Sequence, residues 1–404
     1  MPDLKSLAFV GVDTHKDQHT ARLTDCFSHD LGILEVPNHP SKFEEFTSRV
    51  TLISSQNGLK PVYGLEDTQG LGQSLARFLV STGNYVKDVN PLKTDRKRSK
   101  SPHPDKSDPD DGLAICKVLI QEFDKLPTIA TFDEVHLAIR ELSNHRESLV
   151  KEQTKVKNRL HVLIHREYPL YKRMFKTTFS KSATTFWERF PHPSHLKGST
   201  VKSLAHFLRR HSHNTVSTRA AQRILDLVST DGVPSELDLA RAATTRSLVR
   251  HLRFLQNEIT PIEKELRILV AKTGFKLQTL TGVDTVVAAK LINYIGDINR
   301  FSSSDKLAKC AGIAPTKNST GRKLRHKKTK GGHRKLHATI YYIALSQIGK
   351  DRAGNLHNPK ARQYYLRKIA EGKSKKEALT CLMRRLCDII YAMMKNKTAY
   401  RKPE

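Results

Sequence analysis

The sequence predicts a mixed α/β domain at the N-terminus, two long helices in the middle and a mainly helical C-terminal region. Short apolar runs alternate with helical segments at first, apolar residues then repeat every seven positions, and helical periodicity with Gly-containing breaks follows. A chain of 404 residues has the length of two or three domains. We therefore predict domain boundaries at 1–128, 129–275 and 276–404.

The N-terminal domain is predicted to contain a mixed sheet with covering helices. Three strands come first, and helices and strands then alternate, which is typical of a sheet packed under helices. Residues 7–16 are expected to form a strand that runs into a turn, and further strands are expected at 20–25, 31–36, 61–66 and 85–89. The expected helices are 41–53, 69–81 and 107–123.

The middle region contains two heptad repeats, which predict an antiparallel coiled coil or a dimerising arm. The alternative is two amphipathic helices of one compact bundle. The repeats consist of Val135, Leu142, Leu149, Val156 and Leu163, then Leu248, Leu252, Leu255, Ile259, Ile262, Leu266 and Leu269. Pro261 should kink the second helix or start a new one. A helical insert is expected near 171–235.

The C-terminal region opens at 277–296 with a helix end, a Gly-containing turn and a helix, the pattern of a helix-hairpin-helix. Such a turn presents backbone N–H groups and a helix N-terminus to a phosphate. The alternative is an ordinary corner between two helices. Further helices are expected at 334–348, 359–371 and 374–395.

The net charge indicates a polyanionic partner, because 70 Lys+Arg against 40 Asp+Glu leave a charge of +30. Twelve Lys/Arg and no acid lie between Lys306 and Lys350, and a second basic cluster occupies 93–100. We expect both clusters in loops, which favours nucleic acid over a membrane surface; a merely solvated surface is the alternative. The candidate contacts are Lys93, Arg96, Lys97, Arg98, Lys317, Arg322, Lys323, Arg325, Lys327, Lys328, Arg334 and Lys335.

Other classes of protein are disfavoured by the composition. The sequence lacks the run of about 18 apolar residues that a membrane-spanning helix needs, and its first residues do not resemble a secretory signal. Five scattered cysteines show no spacing typical of a disulfide framework or a zinc site. We expect a protein of a reducing, cytoplasmic compartment.

Four carboxylates are candidate metal ligands. Asp13 and Glu66 each end a predicted strand, and Asp108 and Asp111 begin a helix on one of its faces. Clustered carboxylates repel unless a cation lies among them, and oxygen ligands suit Mg²⁺ or Mn²⁺. Such ions assist phosphodiester cleavage. Capping of turns and ion pairs with Lys are the structural alternatives, with Asp67, Asp105 and Asp110 as neighbouring acids.

Several motifs together resemble a known family. They are 10-VGVDTHK-16, 62-VYGLEDTQGLGQSLARFL-79, 106-KSDPDDGLAI-115, 280-LTGVDTVVAAKLINYIGDINRF-301 and 309-KCAGIAPTKNSTG-321. In this order they resemble the DEDD-type insertion-sequence transposases, the insertion-sequence one-hundred-ten family, over nearly the whole chain. One departure is Gly112, where that family commonly has Ala.

The resemblance implies a RuvC-like N-terminal domain of RNase H fold, in which Asp13, Glu66, Asp108 and Asp111 hold Mg²⁺ or Mn²⁺. It implies a C-terminal serine that attacks a DNA phosphate and becomes covalently linked to DNA. It further implies a structured noncoding guide RNA, with dimers and tetramers joined through the coiled-coil arm. A bacterial or archaeal, nucleoid-associated protein is expected.

The nucleophile is expected within 316-TKNSTGRK-323. Ser319 is our choice because it is the only serine in the motif, and Thr320, directly before Gly321, is the alternative. A polar turn without catalytic function is the structural alternative. His326, His333 and His337 are not assigned as general acids.

The predicted function is that of a DNA transposase or recombinase with a covalent serine–DNA intermediate, guided by RNA. One alternative is a site-specific DNA invertase, or a RuvC-like junction nuclease that uses water. A second alternative is a nucleic-acid-binding protein without enzymatic activity.

Overall fold

The computed structural model describes residues 3–66, 70–98, 108–129, 133–212, 217–228, 234–314, 316–320, 323–327 and 331–401. The chain forms two compact units, Met1–Leu137 and Ala138–Glu404. Within the described ranges, no helix is both long and apolar enough to cross a membrane.

A six-stranded mixed sheet forms the centre of the N-terminal unit, as the sequence predicts. Its strands are β1 (Leu7–Asp13), β2 (Gln18–Thr24), β3 (Asp30–Pro37), β4 (Lys60–Leu65), β5 (Tyr85–Asp88) and β6 (Thr128–Ile129). The order is β3-β2-β1-β4-β5-β6, with β1 antiparallel to β2 and parallel to β4. The sequence-based prediction missed β6, which has only two residues.

Helices cover both faces of this sheet. They are α1 (Phe43–Gln56), α2 (Gln73–Ser81), α3 (Pro91–Arg98) and α4 (Asp108–Glu122). Val12 and Leu65 belong to one apolar core with residues of α1 and α2, whereas Phe9 and Val62 pack with residues of α4. This alternation along β1 and β4 is what a strand buried on both faces requires.

The first basic cluster was expected in a loop, and this expectation is wrong. Its residues 93–98 lie in α3, which begins with Pro91. Proline suits the first turn of a helix because its fixed φ is already helical and its missing N–H would have no partner there.

The middle of the chain contains two long helices, α5 (Glu134–Glu167) and α10 (Glu236–Lys272). Arg146 Nε donates to Glu263 Oε1 at 2.8 Å, and His251 Nε2 lies 3.2 Å from Glu152 Oε1, so the two helices run antiparallel. The predicted helical insert is confirmed as α6 (Tyr171–Met174), α7 (Lys181–Arg189), α8 (Val201–Arg210) and α9 (Thr218–Asp226).

Part of the heptad seam packs inside the chain, in a core around Trp187. Val156, Leu248, Leu252 and Leu255 are buried in this core with residues of the insert. Such packing matches the alternative of one compact bundle for this part of the seam.

Pro261 does not start a helix, because α10 is continuous across it for 37 residues. A proline removes one backbone hydrogen bond of the helix and crowds the preceding turn. Buried residues on both sides, Ile259 and Leu266, stabilise the helix around it.

The C-terminal part is mainly helical and contains one β-hairpin. Its elements are α11 (Thr285–Ile295), α12 (Ser304–Cys310), β7 (Thr316–Thr320), β8 (Lys323–Lys327), α13 (Arg334–Ile348), α14 (Pro359–Ala370) and α15 (Lys375–Asn396). The three predicted helices after residue 330 are confirmed. The second basic cluster was expected in a loop, but much of it lies in the antiparallel pair β7 and β8.

The region expected to form a helix-hairpin-helix contains a 3-10 turn, a Gly-containing turn and α11, and the glycine packs against α13. A single 3-10 turn, Leu277–Thr279, precedes Gly282, whose φ is +85° and whose Cβ, if present, would lie 2.8 Å from Ser346 Cβ of α13. The Asp284 side chain accepts from the Val287 N–H at 2.8 Å. A carboxylate therefore occupies the N-terminus of α11, where the sequence suggested a phosphate.

Candidate active site

Asp13 and Glu66 lie side by side at one edge of the sheet. Val12 is in register with Leu65 across the parallel pair β1 and β4, and the two acids are the next residues along the chain. Val12 and Leu65 face the α1 and α2 side. Because strand residues alternate between faces, Asp13 and Glu66 belong to the side on which α4 packs. The Thr14 hydroxyl also donates to the Glu66 backbone oxygen at 3.4 Å.

Two glycines let α4 approach this face closely. A Cβ on Gly11 would lie 2.2 Å from the Gly112 carbonyl oxygen, and one on Gly64 would lie 2.5 Å from Leu119 Cδ1. The first turn of α4 therefore contacts β1 directly, two residues before Asp13. Asp111 immediately precedes Gly112, so a third acid lies in the helix turn that packs against β1.

Gly112 itself is tightly packed, which gives a physical reason for its departure from the family pattern. An added Cβ would lie 3.1 Å from Arg22 Cβ and 3.2 Å from the Gly11 carbonyl oxygen. An alanine would require α4 to shift by a few tenths of an ångström.

The acids are held by neighbouring polar groups. Asp13 Oδ2 lies 3.1 Å from His15 Nε2, and the Asp13 side chain is only 14% exposed. The hydroxyl of buried Thr94 donates to Glu66 Oε1. Neither His15 nor Thr94 was singled out from the sequence, although His15 lies within the 10–16 motif.

Asp111 and its neighbours differ in their surroundings. Asp111 is half-buried, whereas the side chain of Asp110 is 60% exposed and lies 4.0 Å from Arg22 Nη1. Asp108 is the first residue of α4, and its side chain lies outside the described part, as do Asp67 and Asp105. Strand register thus places Asp13 and Glu66 at adjacent strand ends, and the start of α4, which carries Asp108 and Asp111, packs on the same face. Among the described residues, Asp13, Glu66 and Asp111 do not form a group whose ligand atoms all lie within 4.8 Å of one another.

The candidate nucleophiles lie in the β7–β8 hairpin of the C-terminal unit. Ser319 is in register with Leu324, and Thr320 with Lys323. Residues 316–320 form a strand rather than a turn. Gly321 lies outside the described residues.

The histidines that were not assigned as general acids make contacts within the fold. His333 caps α13 by accepting from the Leu336 N–H at 3.0 Å, and burial lowers its pKa. His337 Nδ1 lies 3.1 Å from the Ala311 carbonyl oxygen. His326 is in register with Lys317 in the hairpin.

Two of the candidate basic contacts form ion pairs within the chain. Lys93 Nζ lies 2.5 Å from Glu122 Oε2, and Lys335 Nζ lies 2.7 Å from Glu147 Oε2. Arg334 is exposed at the start of α13. Arg96, Lys97 and Arg98 belong to α3, and Lys317, Lys323, Arg325 and Lys327 belong to the hairpin. Arg322 and Lys328 lie outside the described residues.

Among the described residues, a group of potential metal ligands with closely spaced atoms lies in the C-terminal unit, where the sequence suggested none. Glu167, His192 and Asp238 each offer one ligand atom, and these atoms lie within 4.8 Å of one another. Arg241 Nη1 lies 3.5 Å from Glu167 Oε1 and 3.2 Å from Asp238 Oδ1. Burial and the nearby Asp238 charge raise the pKa of Glu167. Because a guanidinium already supplies positive charge here, we assign this group a structural role between the end of α5 and the start of α10.

Two family models match the chain. One, the DEDD-type IS110 model described as Transposase, matches residues 10–169, and the other, described as Transposase IS116/IS110/IS902 family, matches residues 275–366. The first covers the sheet edge with its acids, and the second covers the hairpin. Together they match more than half of the chain.

Similar proteins from mobile elements cover most of the chain. It is 25% identical over 396 residues to the insertion element IS116 uncharacterized 44.8 kDa protein of Streptomyces clavuligerus, over 97% of this chain and 96% of the relative. It is 25% identical over 306 residues to the insertion element IS110 uncharacterized 43.6 kDa protein of Streptomyces coelicolor, over 73% and 72%. The pilin gene-inverting protein of Moraxella lacunata is 24% identical over 161 residues, over 38% and 48%.

Proposed function

Because the chain belongs to the IS110 family of transposases, we propose that it breaks and rejoins DNA strands as the recombinase of an insertion element. The observation that carries this proposal is the placement of Asp13 and Glu66 at adjacent strand ends, on the face against which α4 packs with Asp111 in its first turn. A cluster of carboxylates without a countercharge is unstable, and metal-assisted phosphoryl transfer is the chemistry that uses such a cluster.

The N-terminal unit is proposed to be a RuvC-like domain of RNase H fold. Its acids at the ends of two central parallel strands, with α4 packed over them, support this assignment. The division at 1–128, 129–275 and 276–404 remains our proposal for the domains. Antiparallel α5 and α10 would form the arm, and half-buried Leu142 of its seam would offer apolar surface to a second copy.

Asp13, Glu66, Asp108 and Asp111 are proposed to hold Mg²⁺ or Mn²⁺. Carboxylate oxygens are the ligands that these hard cations prefer. When bound, the ion would supply charge neutralisation at the scissile phosphate. The hydroxyl of Thr94 donates to one carboxylate oxygen of Glu66. This hydrogen bond orients the whole carboxylate group and therefore also its second oxygen.

Ser319 is proposed to be the nucleophile. Its Oγ would form a bond to the phosphorus of a DNA phosphodiester, one bridging P–O bond of the DNA would break, and the serine proton would pass to the leaving oxygen. The intermediate is itself a phosphodiester, which links the serine to the DNA. A DNA hydroxyl can therefore attack it in the reverse reaction and rejoin strands without an added energy source. The basic register positions Lys323, Arg325 and Lys327 in β8 support phosphate binding at the hairpin.

The partners are proposed to be target and donor DNA and a structured noncoding guide RNA, with a dimer or tetramer as the working assembly. The net charge of +30 supports a nucleic-acid partner, and it does so equally for DNA and RNA. RNA sequenced from protein purified from its host would test the guide. A single enriched structured RNA is expected, and random cellular RNA would contradict it.

A covalent adduct tests the mechanism. Incubation with labelled donor DNA and Mg²⁺ should give a protein–DNA band that survives denaturing electrophoresis. Ser319→Ala should abolish the band, Thr320→Ala should retain it, and Asp13→Asn should abolish it without changing DNA binding. Cleavage by Ser319→Ala and Thr320→Ala at the normal rate would instead show hydrolysis by water.

A site-specific invertase is the second candidate, and the similarity to a pilin gene-inverting protein favours it. A plasmid with two recombination sites in inverted orientation distinguishes the two outcomes. Inversion of the intervening segment supports the invertase, whereas excision and insertion of an element support the transposase. Binding without any strand cleavage, unaffected by carboxylate variants, would indicate a non-enzymatic protein.

A further inference from the structure

We propose that a cleft between α14 and α15 binds one unpaired nucleotide of a single-stranded nucleic acid. The proposal rests on the proposed function in one respect, namely that the chain acts on nucleic acid. The cleft belongs entirely to the C-terminal unit, and neither the carboxylates nor the β7–β8 hairpin contribute to its lining.

The cleft has the size and the floor of a small-molecule site. Its volume is about 920 Å³, which lies within the usual range of ligand pockets. Leu382, Leu386 and Ile389 line it from α15. Their spacing places them on one face of that helix. Leu382 and Leu386 are almost fully buried, and the apolar surface on which a planar base can lie comes from half-buried Ile389 and from Leu366 of α14, which is 49% exposed.

The charge of the lining indicates an anionic ligand. Lys360, Arg362, Arg367, Arg385 and Arg401 line the cleft, and no Asp or Glu is among the lining residues that the structure describes. Arg362 Nη1 donates to the Ile348 carbonyl oxygen at 2.8 Å, which fixes this side chain beside the cleft. Glu371, which does not line the cleft, lies 3.8 Å from Arg367 and offsets part of the charge. The remaining excess of cations suits a phosphate.

Two tyrosines from different segments add aromatic surface. The guanidinium groups of Arg367 and Arg385 lie 5.2 and 5.1 Å from the centre of the Tyr364 ring. Tyr400 comes from the segment after α15, and its backbone N–H donates to the Thr279 hydroxyl at 2.8 Å. Tyrosine rings and guanidinium planes are the groups on which proteins stack unpaired bases.

One wall of the cleft is held by buried amide groups. Gln347 is only 2% exposed and donates to the Thr281 carbonyl oxygen at 3.1 Å, and Asn358 donates to Gln347 Oε1 at 2.9 Å. These bonds fix the approach of α14 to α13 before any ligand binds. A preformed site loses less entropy on binding than one that must be ordered.

The combination of a concave apolar floor, tyrosines and cations distinguishes between nucleic acids. A paired base within a duplex is stacked on both faces and cannot enter a cleft, whereas a base in a single strand, loop or bulge can. A flat basic surface would bind duplex and single strands alike through their phosphates. We therefore assign the cleft to an unpaired nucleotide, which DNA or RNA can supply.

Fluorescence anisotropy of the full chain tests this assignment. The probes are an oligothymidylate, an oligouridylate and a blunt duplex of the same length. Tyr364→Ala should weaken binding of at least one single strand by about 5- to 100-fold, the usual effect of removing a stacking side chain, and should leave duplex binding unchanged. The strand that shows this loss identifies whether DNA or RNA supplies the nucleotide.

Control variants separate this effect from misfolding and from general charge. Tyr364→Phe keeps the ring and should restore binding, and Arg385→Gln should weaken single-strand binding with little effect on the duplex. Tyr342→Ala removes a tyrosine that is 57% exposed outside the cleft, and Arg352→Gln removes an exposed cation outside it; both should bind normally.

The assignment is overturned if Tyr364→Ala binds both single strands as the unchanged protein does, or if it loses duplex binding to the same extent. Asp13→Asn keeps the proposed function distinguishable from the cleft. It should lose the covalent adduct and bind single strands normally, so normal adducts together with Tyr364-independent binding would remove the cleft and leave the recombinase in place.

Discussion

The sheet edge of the N-terminal unit and the cleft of the C-terminal unit hold their charged groups in different ways. At the sheet edge, strand register places Asp13 and Glu66 at adjacent strand ends, and two glycines let α4, which carries Asp111, pack closely on the same face. In the cleft, cations project from helices onto an apolar floor and around Tyr364. The comparison teaches that the acidic site should fail abruptly when its backbone contacts change, whereas the basic site should weaken by degrees.

The largest effect is expected at the acids themselves. Asp13→Asn keeps the size of the side chain but removes its charge, and strand cleavage should fall by more than about 100-fold, the upper limit seen when only groups around metal ligands are changed. The rate of adduct formation at saturating Mg²⁺ measures this.

Asp110→Asn is the matched control, because Asp110 is 60% exposed on the same helix as Asp111. It should cleave at nearly the normal rate. Equal losses in both variants would mean that the local charge matters rather than the specific ligand.

The next effect tests the backbone contact. Gly11→Ala places a methyl group 2.2 Å from the Gly112 carbonyl oxygen. The methyl group is attached to the backbone of β1 and the oxygen belongs to the backbone of α4, so no flexible side chain can move aside. We expect the free energy of unfolding to fall by about 3 kcal/mol, together with loss of cleavage. Urea denaturation measures it.

Gly331→Ala is the control for the Gly11 change, since a Cβ there would have no atom within 4 Å. Its effect should stay within about 0.5 kcal/mol. A stable and active Gly11→Ala protein would show that α4 does not pack against β1 as described.

The same two regions explain what the sequence predicts well and what it misses. Asp13 and Glu66 follow apolar strands, and the carboxyl ends of parallel strands share an edge, so their meeting follows from a local pattern. The position of α4, and of Asp111 in its first turn, depends on Gly11 and Gly64, where an added Cβ would collide with α4; these collisions become visible only once α4 is placed on the sheet.

Features that depend on contacts between distant segments could not be predicted from a local sequence pattern. The hairpin was missed because β7 and β8 are polar and basic, without the alternation of apolar residues that indicates a strand. The cleft joins residues from α14, α15 and the segment beyond, and the group of Glu167, His192 and Asp238 joins three separate elements. Helices, by contrast, were predicted well, because their periodicity lies within one segment.

A smaller effect, on stability, is expected at Glu147, which binds Lys335 of the second basic cluster. Glu147 accepts from Lys335 at 2.7 Å and from the Tyr294 hydroxyl. Burial opposes ionisation, but these bonds outweigh it and hold the pKa of Glu147 below its ordinary value of 4.5. Because the folded-state pKa is lowered, the stabilisation is present above 4.5 and is lost as the pH falls through the folded-state value.

Glu147→Gln should therefore lower the free energy of unfolding by about 1–2 kcal/mol at pH 7, and the difference should narrow below about pH 4.5. Glu152→Gln, which removes an exposed partner of His251, should change stability by less than about 1 kcal/mol. Urea denaturation at pH 7 and at pH 4 provides the comparison. A Glu147→Gln difference that does not depend on pH would show that the carboxylate charge contributes nothing.

The smallest effect is expected from the loss of one hydrogen bond at the sheet edge, because this change leaves the backbone contacts intact. Thr94→Val removes the hydroxyl that donates to Glu66 and keeps the shape of this buried side chain. Since Thr94 positions a proposed metal ligand, the Mg²⁺ concentration for half-maximal cleavage should rise by about tenfold. The rate at saturating Mg²⁺ should be nearly normal, Thr94→Ser should restore the Mg²⁺ dependence, and Thr51→Val, on the exposed side of α1, should leave it unchanged. A lower maximal rate with an unchanged Mg²⁺ dependence would instead place Thr94 in the packing of α3, and the sheet edge would then hold Glu66 by its backbone alone.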